Sequence, residues 1–176
     1  MDKPMTNFHF KFMSFGYKFR DFFFPRKDIL KEVRIKSGFS VLDYGCGPGG
    51  YSVVAAELVG TEGKVIALDI HPLAVKKVRK AALKKGLTNI ETVLSECQTG
   101  LEAKSIDVVL LYDVFHELNE PRVVLNELNR VLKPEGILSV SDHHLEEEKI
   151  ISEITKGGLF GFLNKGKKTY NFSKKA

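Results

Sequence analysis

Long hydrophobic runs are missing from this chain of 176 residues. No stretch approaches the roughly 18–20 consecutive apolar residues that a membrane-spanning helix needs. The N-terminal region lacks an apolar signal core, because Lys11, Lys18, Arg20 and Asp21 interrupt it. Cysteine is scarce: Cys46 and Cys97 are the only two, too few for a disulfide framework. A cytoplasmic protein without a transmembrane segment is the expectation. A strong overall charge is also absent, the net value being +5. The basic side chains are nevertheless clustered, at Lys76, Lys77, Arg79, Lys80, Lys84 and Lys85, and again at Lys165, Lys167, Lys168, Lys174 and Lys175. Such clusters attract RNA or an anionic surface, or they are simply the solvated face of a helix and of a hairpin.

What is present is enough for one domain with a real core, and a hydrophobic content of 43% suits a water-exposed fold. The middle of the chain alternates strand and helix signals. Strands are predicted at 41–44, 64–69, 90–94, 106–112 and 137–141. The run from Ile106 to Tyr112 is broken only by Asp107, as in a strand covered on both faces. Pro72 and Pro121 fall at first-turn positions of the intervening helices, and Gly60 and Gly86 fall just past helix ends. Pro134 and Gly136 are expected to stop the helix that carries Val123, Val124, Leu125, Leu128, Val131 and Leu132. This order predicts an α/β fold with a doubly wound, mostly parallel sheet and right-handed crossovers. Towards the C-terminus, 145–156 suits a helix, and two short runs around Gly166 read as a hairpin.

The most informative segment is Val41-Leu-Asp-Tyr-Gly-Cys-Gly-Pro-Gly-Gly-Tyr-Ser52. A short apolar strand ends in Asp43, and glycines follow at 45, 47, 49 and 50. Glycine has no Cβ and tolerates positive φ, so a ligand can touch the backbone there, and the helix start beyond offers N–H groups. Gly45-x-Gly47-x-x-Gly50, with Asp69 about 20 residues on, also satisfies the dinucleotide fingerprint. Two details favour another ribose-bearing cofactor. Asp43 would repel a pyrophosphate and favour a cation, and Pro48 offers no N–H to a phosphate.

The segment resembles motif I of the class I S-adenosylmethionine-dependent methyltransferases, and further matches follow in order. Val65-Ile-Ala-Leu-Asp69 resembles the second strand with its ribose-binding acid. Ser95-Glu96-Cys97 stands at the adenine-binding position, Ile106–Leu118 at the fourth strand and its loop, and Leu132–Leu138 at the turn into the fifth strand. The resemblance implies a Rossmann-like seven-stranded sheet in the order 3-2-1-4-5-7-6, with an antiparallel strand in the final hairpin. It implies S-adenosyl-L-methionine as cofactor, with S-adenosyl-L-homocysteine as product. By position, Asp43, Gly45, Cys46 and Gly47 would surround the methionine part and ribose. Asp69 would bind the ribose hydroxyls, Ile70 would pack on the adenine, and Glu96 and Cys97 would meet its polar edge. Asp113 would flank the methionine part. An alternative for Asp69 is a strand-end acid that caps the next helix. The family usually has Asp where Glu96 stands.

The acceptor side rests on fewer residues. His116 follows the fourth strand and suits a general base, or a loop histidine held by hydrogen bonds. Asp142, His143 and His144 follow the fifth strand and can face the same crevice. Their spacing, with Asp113 and His116, matches no recognised ligand pattern, so no metal is expected. Both cysteines read as small pocket-lining residues. The first 28 residues hold eight of the 13 phenylalanines, plus Tyr17, which is counted among the cofactor contacts. They form an N-terminal extension before a single methyltransferase domain over 29–176. The extension would cover the pocket, rest on a membrane surface or simply pack on the domain.

The leading expectation is a methyltransferase acting on a small, apolar or aromatic acceptor. The alternatives are an RNA or protein methyltransferase, a catalytically silent cofactor-binding module, and a nicotinamide oxidoreductase. The fourth strand is not followed by Asn/Asp-Pro-Pro-Tyr/Phe, which argues against the amino-methylating enzymes that use that sequence.

Overall fold

The computed structural model describes residues 26–175. Tyr17 and the phenylalanine-rich stretch lie outside the described residues. The elements follow in the order α1 (Arg26–Lys31), β1 (Ser40–Tyr44), α2 (Gly50–Val59), β2 (Lys64–Asp69), α3 (Pro72–Lys85), β3 (Ile90–Leu94) and β4 (Ile106–Tyr112). A single 3-10 turn, Phe115–Glu117, comes next, then α4 (Pro121–Val131), β5 (Leu132–Ser141), α5 (Glu147–Thr155), β6 (Phe160–Lys165) and β7 (Tyr170–Lys174). The helix α1 straddles the boundary expected between residues 28 and 29.

All seven strands form one sheet in the order β3-β2-β1-β4-β5-β7-β6. The pairings among β1 to β5 are parallel, and β7 is antiparallel to both of its neighbours. This is the expected topology. Side chains alternate across β4 and build two cores. Val108, Leu110 and Tyr112 join Leu30, Val33, Ala55, Ala56 and Val59 of the α1–α2 side. Val109 and Leu111 join Val124, Leu125, Leu128, Ile150 and Ile154 of the α4–α5 side. The apolar run of β4 is thus explained by burial on both faces.

One boundary differs from expectation. Leu132 opens β5 rather than closing α4, and pairs with Ile106. The register then jumps, so that Val108 faces Ile137 and residues 133–136 bulge outward. Leu132 is fully buried, and Lys133 binds Asp107 at 2.7 Å. Pairing with β4 therefore captures a residue whose spacing from Leu125 and Leu128 reads as helical.

The order reverses between β1 and β4, and at such a switch point the loops beyond the carboxyl ends of the strands diverge and leave a crevice. The end of α1 is fastened at the same side of the sheet. The Glu32 carboxylate accepts from Thr169 Oγ1 (2.9 Å) and from the Lys168 N–H (3.1 Å) in the β6–β7 turn.

Candidate active site

The glycine loop after β1 is held by backbone bonds: the N–H groups of Gly45 and Cys46 both donate to Leu68 O at 2.9 Å. This folds the loop across the end of β2. Gly45 has φ +75°, and a Cβ there would lie 2.8 Å from Val114 Cγ2 in the post-β4 segment. That approach brings the β1 and β4 loops together along one rim. Gly45→Ala is accordingly expected to cost about 2–4 kcal/mol, from left-handed strain plus overpacking. Urea denaturation of the two proteins measures it. Gly47 has φ +52°, and a Cβ there would meet open space. The helix α2 begins after Gly49 with no side-chain cap hydrogen bond.

Gly50 serves a different purpose. A Cβ at this position would fall 0.7 Å from Arg26 Nη1. The guanidinium lies across the helix start and 5.1 Å from the ring centroid of Tyr51, a cation–π distance. Tyr51 meets Tyr112 edge-on at 4.8 Å, and the Tyr112 hydroxyl bonds to Ser139 Oγ at 2.9 Å. Arg26 could not be found from the motif, since nothing in the glycine pattern specifies a residue from α1.

Two acids stand behind the loop. Asp43 is buried and accepts from Ser52 Oγ at 2.5 Å. Burial raises its pKa from 3.8 to about 6, against the lowering effects of Ser52 and Arg26, and Asp69 adds to the rise. Folded Asp43 therefore keeps its proton to higher pH than the unfolded chain does. Its contribution to stability is greatest below about pH 4 and is lost as pH climbs to about 6. The difference corresponds to roughly 3 kcal/mol. Asp43→Asn is expected to lose that slope, gaining stability relative to the wild type between pH 4 and 7, as read from urea midpoints across the range.

Asp69, at the end of β2, is also buried, and burial raises its pKa as well. Its Oδ2 accepts the Gly47 N–H at 2.8 Å and its Oδ1 the His71 N–H at 2.7 Å. Asp69 thus ties the glycine loop to the start of α3, where buried His71 accepts the Leu73 N–H on Nδ1 and caps the helix. The carboxylate as a whole has acceptor capacity beyond these two bonds. Burial, followed by the charges of Asp43 and Asp69, pushes the Cys46 thiol well above its ordinary range. It stays an uncharged wall residue and not a nucleophile.

The Ser95–Cys97 segment is pinned to the same rim. The Ser95 N–H donates to Asp69 O at 3.1 Å, and the Tyr44 hydroxyl donates to Glu96 O at 3.0 Å. Glu96, Cys97 and Ile70 are half-buried. Arg130 binds the Glu127 carboxylate through two bonds, and Thr99 donates to it from both its hydroxyl and its N–H. Those bonds hold the Glu127 pKa at about 2.

Across the rim lie the residues after β4 and β5. His116 Nδ1 is 2.8 Å from Asp142 Oδ2, and the His116 N–H donates to the same oxygen at 3.0 Å. Asp142 Oδ1 accepts the His144 N–H at 3.1 Å. The Asp142 side chain is fully buried and that of His116 is 22% exposed. A carboxylate on Nδ1 makes that nitrogen the donor and leaves Nε2 to accept a proton. The 26-residue gap hides this pair from motif reading. The signal that could have found it is strand order, because adjacent β4 and β5 put 113–116 beside 142–144. Among the described residues, no three His, Cys, Asp or Glu side chains are arranged to hold a metal ion.

The seven-stranded order and the glycine loop at the β1–β4 switch point define a class I methyltransferase fold. A family profile described as a methyltransferase domain matches residues 35–170, and the chain belongs to that family, the S-adenosylmethionine-dependent methyltransferases. It is similar to the demethylmenaquinone methyltransferase of Geobacillus stearothermophilus, with 28% identity over 88% of this chain and 62% of that protein. It is also similar to the protein of the same name from Listeria monocytogenes serotype 4a, with 32% identity over 66% of this chain and 50% of the relative. The chain thus spans less than two thirds of either. Among solved structures, a SAM dependent methyltransferase from Aquifex aeolicus superposes with a TM-score of 0.76 at 29% identity, covering 86% of this chain and 89% of that one.

The residues present fit S-adenosylmethionine, the cofactor of this family. The loop opens at Gly47, where only hydrogen faces free space, and the buried acids Asp43 and Asp69 lie behind it. That charge suits a cationic sulfonium and opposes a pyrophosphate.

Proposed function

We propose that this chain transfers the methyl group of S-adenosylmethionine to a small aromatic acceptor that bears an ionisable hydroxyl, of the quinol type. The observation that carries the reading is the Asp142–His116 pair on the rim that Val114 shares with the cofactor glycines. Bound S-adenosylmethionine supplies an activated methyl group with a good leaving group. The protein's remaining tasks are to hold the reactants in line and to remove a proton from the acceptor.

In this reading Asp69 accepts the ribose hydroxyls while keeping its backbone bonds. The open edge of Gly47 admits the methionine part, and the uncapped start of α2 receives its carboxylate. Asp43 supplies a buried negative charge for the cationic end. Asp113 flanks the methionine part, Ile70 packs on the adenine, and Glu96 and Cys97 meet its polar edge. His116 takes the hydroxyl proton on Nε2, with Asp142 holding the ring. Arg26 lies over Gly50, at the rim of the cofactor loop. The names of the demethylmenaquinone relatives support a quinone-related acceptor.

A donor-coupled screen over quinols, phenols, amines, thiols and lipids tests the proposal. Turnover confined to hydroxylated aromatics is expected, and turnover confined to amines or thiols contradicts it. The basic face of α3 gives an RNA acceptor as the second reading. Lys76, Arg79, Lys80 and Lys84 are exposed there. A salt-sensitive gel shift with bulk RNA is that reading's signature.

A further inference from the structure

The outer face of α3 plays no part in the site described above. The helix carries six bases, Lys76, Lys77, Arg79, Lys80, Lys84 and Lys85, and no acid. Lys84 and Lys85 complement the negative C-terminal end of the helix, but the other four bring it no such gain. Lys76, Lys80 and Lys84 follow one another at i, i+4 spacing, where like charges repel and cost helix stability. Two acids of neighbouring elements are already paired, Glu57 with Lys85 at 2.6 Å and Glu91 with Lys64 at 2.9 Å. The basic cluster at the opposite edge of the sheet is different. There Lys165 pairs with Glu147, and Lys174 Nζ donates to Asn129 O and Leu132 O.

A leucine stands in the middle of this charge. Leu83 is 83% exposed and shares its face of the helix with Lys76, Arg79 and Lys80, at i−7, i−4 and i−3. The edge strand β3 continues the face. Its Ile90 packs with Val78, and Arg79 Nε donates to Thr92 Oγ1 at 2.7 Å. By strand alternation Leu94 lies on the same side as Ile90 and Thr92. It is 56% exposed and immediately precedes the Ser95–Cys97 segment. The face therefore runs from the crevice rim along the edge of the sheet, with an exposed leucine towards each end and bases between them.

We infer that this face docks on an anionic phospholipid bilayer. The bases meet the negative surface, which supplies the counter-charge that α3 lacks. Leu83 and Leu94 enter the headgroup layer, as apolar tips of a basic surface do. RNA is the poorer occupant, because it would leave both leucines without an apolar partner. Neither α3 nor β3 holds an aromatic side chain to stack on a base, or an Asn or Gln to read one. The single arginine, the residue best shaped for phosphate, is held by Thr92. Docking of this kind is independent of the methyl acceptor proposed above.

The full chain is sedimented with vesicles of mixed phosphatidylglycerol and phosphatidylcholine, and with vesicles of phosphatidylcholine alone. The wild type is expected to sediment with the mixed vesicles only, and less as salt rises. Replacing Lys76, Lys80 and Lys84 together with glutamine should weaken that binding by about a hundredfold. The urea midpoint should not fall, since the like-charge repulsion is relieved. Leu83→Ser keeps every charge and should still weaken binding by about tenfold. The sequence contains no tryptophan, so Leu83→Trp places a single fluorophore on the face. Its emission should shift to the blue on the mixed vesicles and be quenched by lipid brominated in the acyl chains. No sedimentation with the mixed vesicles, equal binding by the triple variant, or an unshifted emission from vesicle-bound Leu83→Trp protein overturns the inference. So does a salt-sensitive gel shift with bulk RNA in the absence of vesicle binding, which assigns the face to nucleic acid.

Discussion

Replacing Asp69 with alanine is expected to weaken S-adenosylhomocysteine binding by about a hundredfold or more. Asp69 has two parts to play in the proposed function. It accepts the Gly47 and His71 N–H groups at 2.8 and 2.7 Å, and in the proposed function it also accepts the ribose hydroxyls. Hydrogen bonds to a carboxylate are worth roughly 1.5–3 kcal/mol each, so losing two ribose bonds alone corresponds to about 3 kcal/mol or more. The backbone bonds add a separate consequence. Without the carboxylate, Gly47 loses its tie to the start of α3, and the loop that must contact the ligand is no longer held. Asp69→Asn separates the two contributions, because its amide oxygen can still accept one N–H while the charge is gone. Calorimetric titration should rank wild type above Asn and Asn above Ala. Undiminished binding by the alanine variant would show that the ligand does not use the end of β2.

Replacing His116 with glutamine is expected to lower kcat by about 10²–10⁴-fold, the usual worth of a positioned general base. Cofactor binding should change by less than about twofold, since His116 faces Asp142 across the rim from the Gly47–Asp69 tie. Asp142→Asn should reproduce part of the loss by a different route. An amide can present its NH₂ to Nδ1 and turn the imidazole into the wrong tautomer, with the proton on Nε2. Asp142 also accepts the His116 and His144 N–H groups, so its removal should loosen the segments after β4 and β5 as well. Single-turnover rates at saturating donor, read beside donor affinity, distinguish a lost base from a lost binding site.

These two residues illustrate what the sequence discloses. Asp69 is legible because its meaning is local: an apolar strand, an acid at its end and a glycine loop at the right distance upstream. The strands with unbroken apolar runs are legible for the same reason, and the order 3-2-1-4-5-7-6 follows from recognising the ordered motifs. The Asp142–His116 pair is not legible by spacing, since it depends on the β4–β5 register that sets Tyr112 beside Ser141. That register also decides the fate of Leu132, which its own periodicity assigns to a helix and its partner Ile106 draws into a strand. Gly50 shows how spacing alone misleads. It completes a ligand-binding fingerprint by spacing, yet the space above it is filled by Arg26. The identity of Arg26 as the occupant is a property of how α1 packs, and no local pattern encodes it.

In the proposed function a proton acceptor stands on the same rim as the methyl-donor loop. The most direct measurement is the transfer of labelled methyl from S-adenosylmethionine to a reduced quinol, by the wild type and by His116→Gln under matched donor saturation. A methylated quinol is expected from the wild type, with a rate about a hundredfold or more lower from the variant and donor affinity preserved. Equal rates from the two proteins, or a wild type that binds the donor and methylates no hydroxylated aromatic, would contradict it.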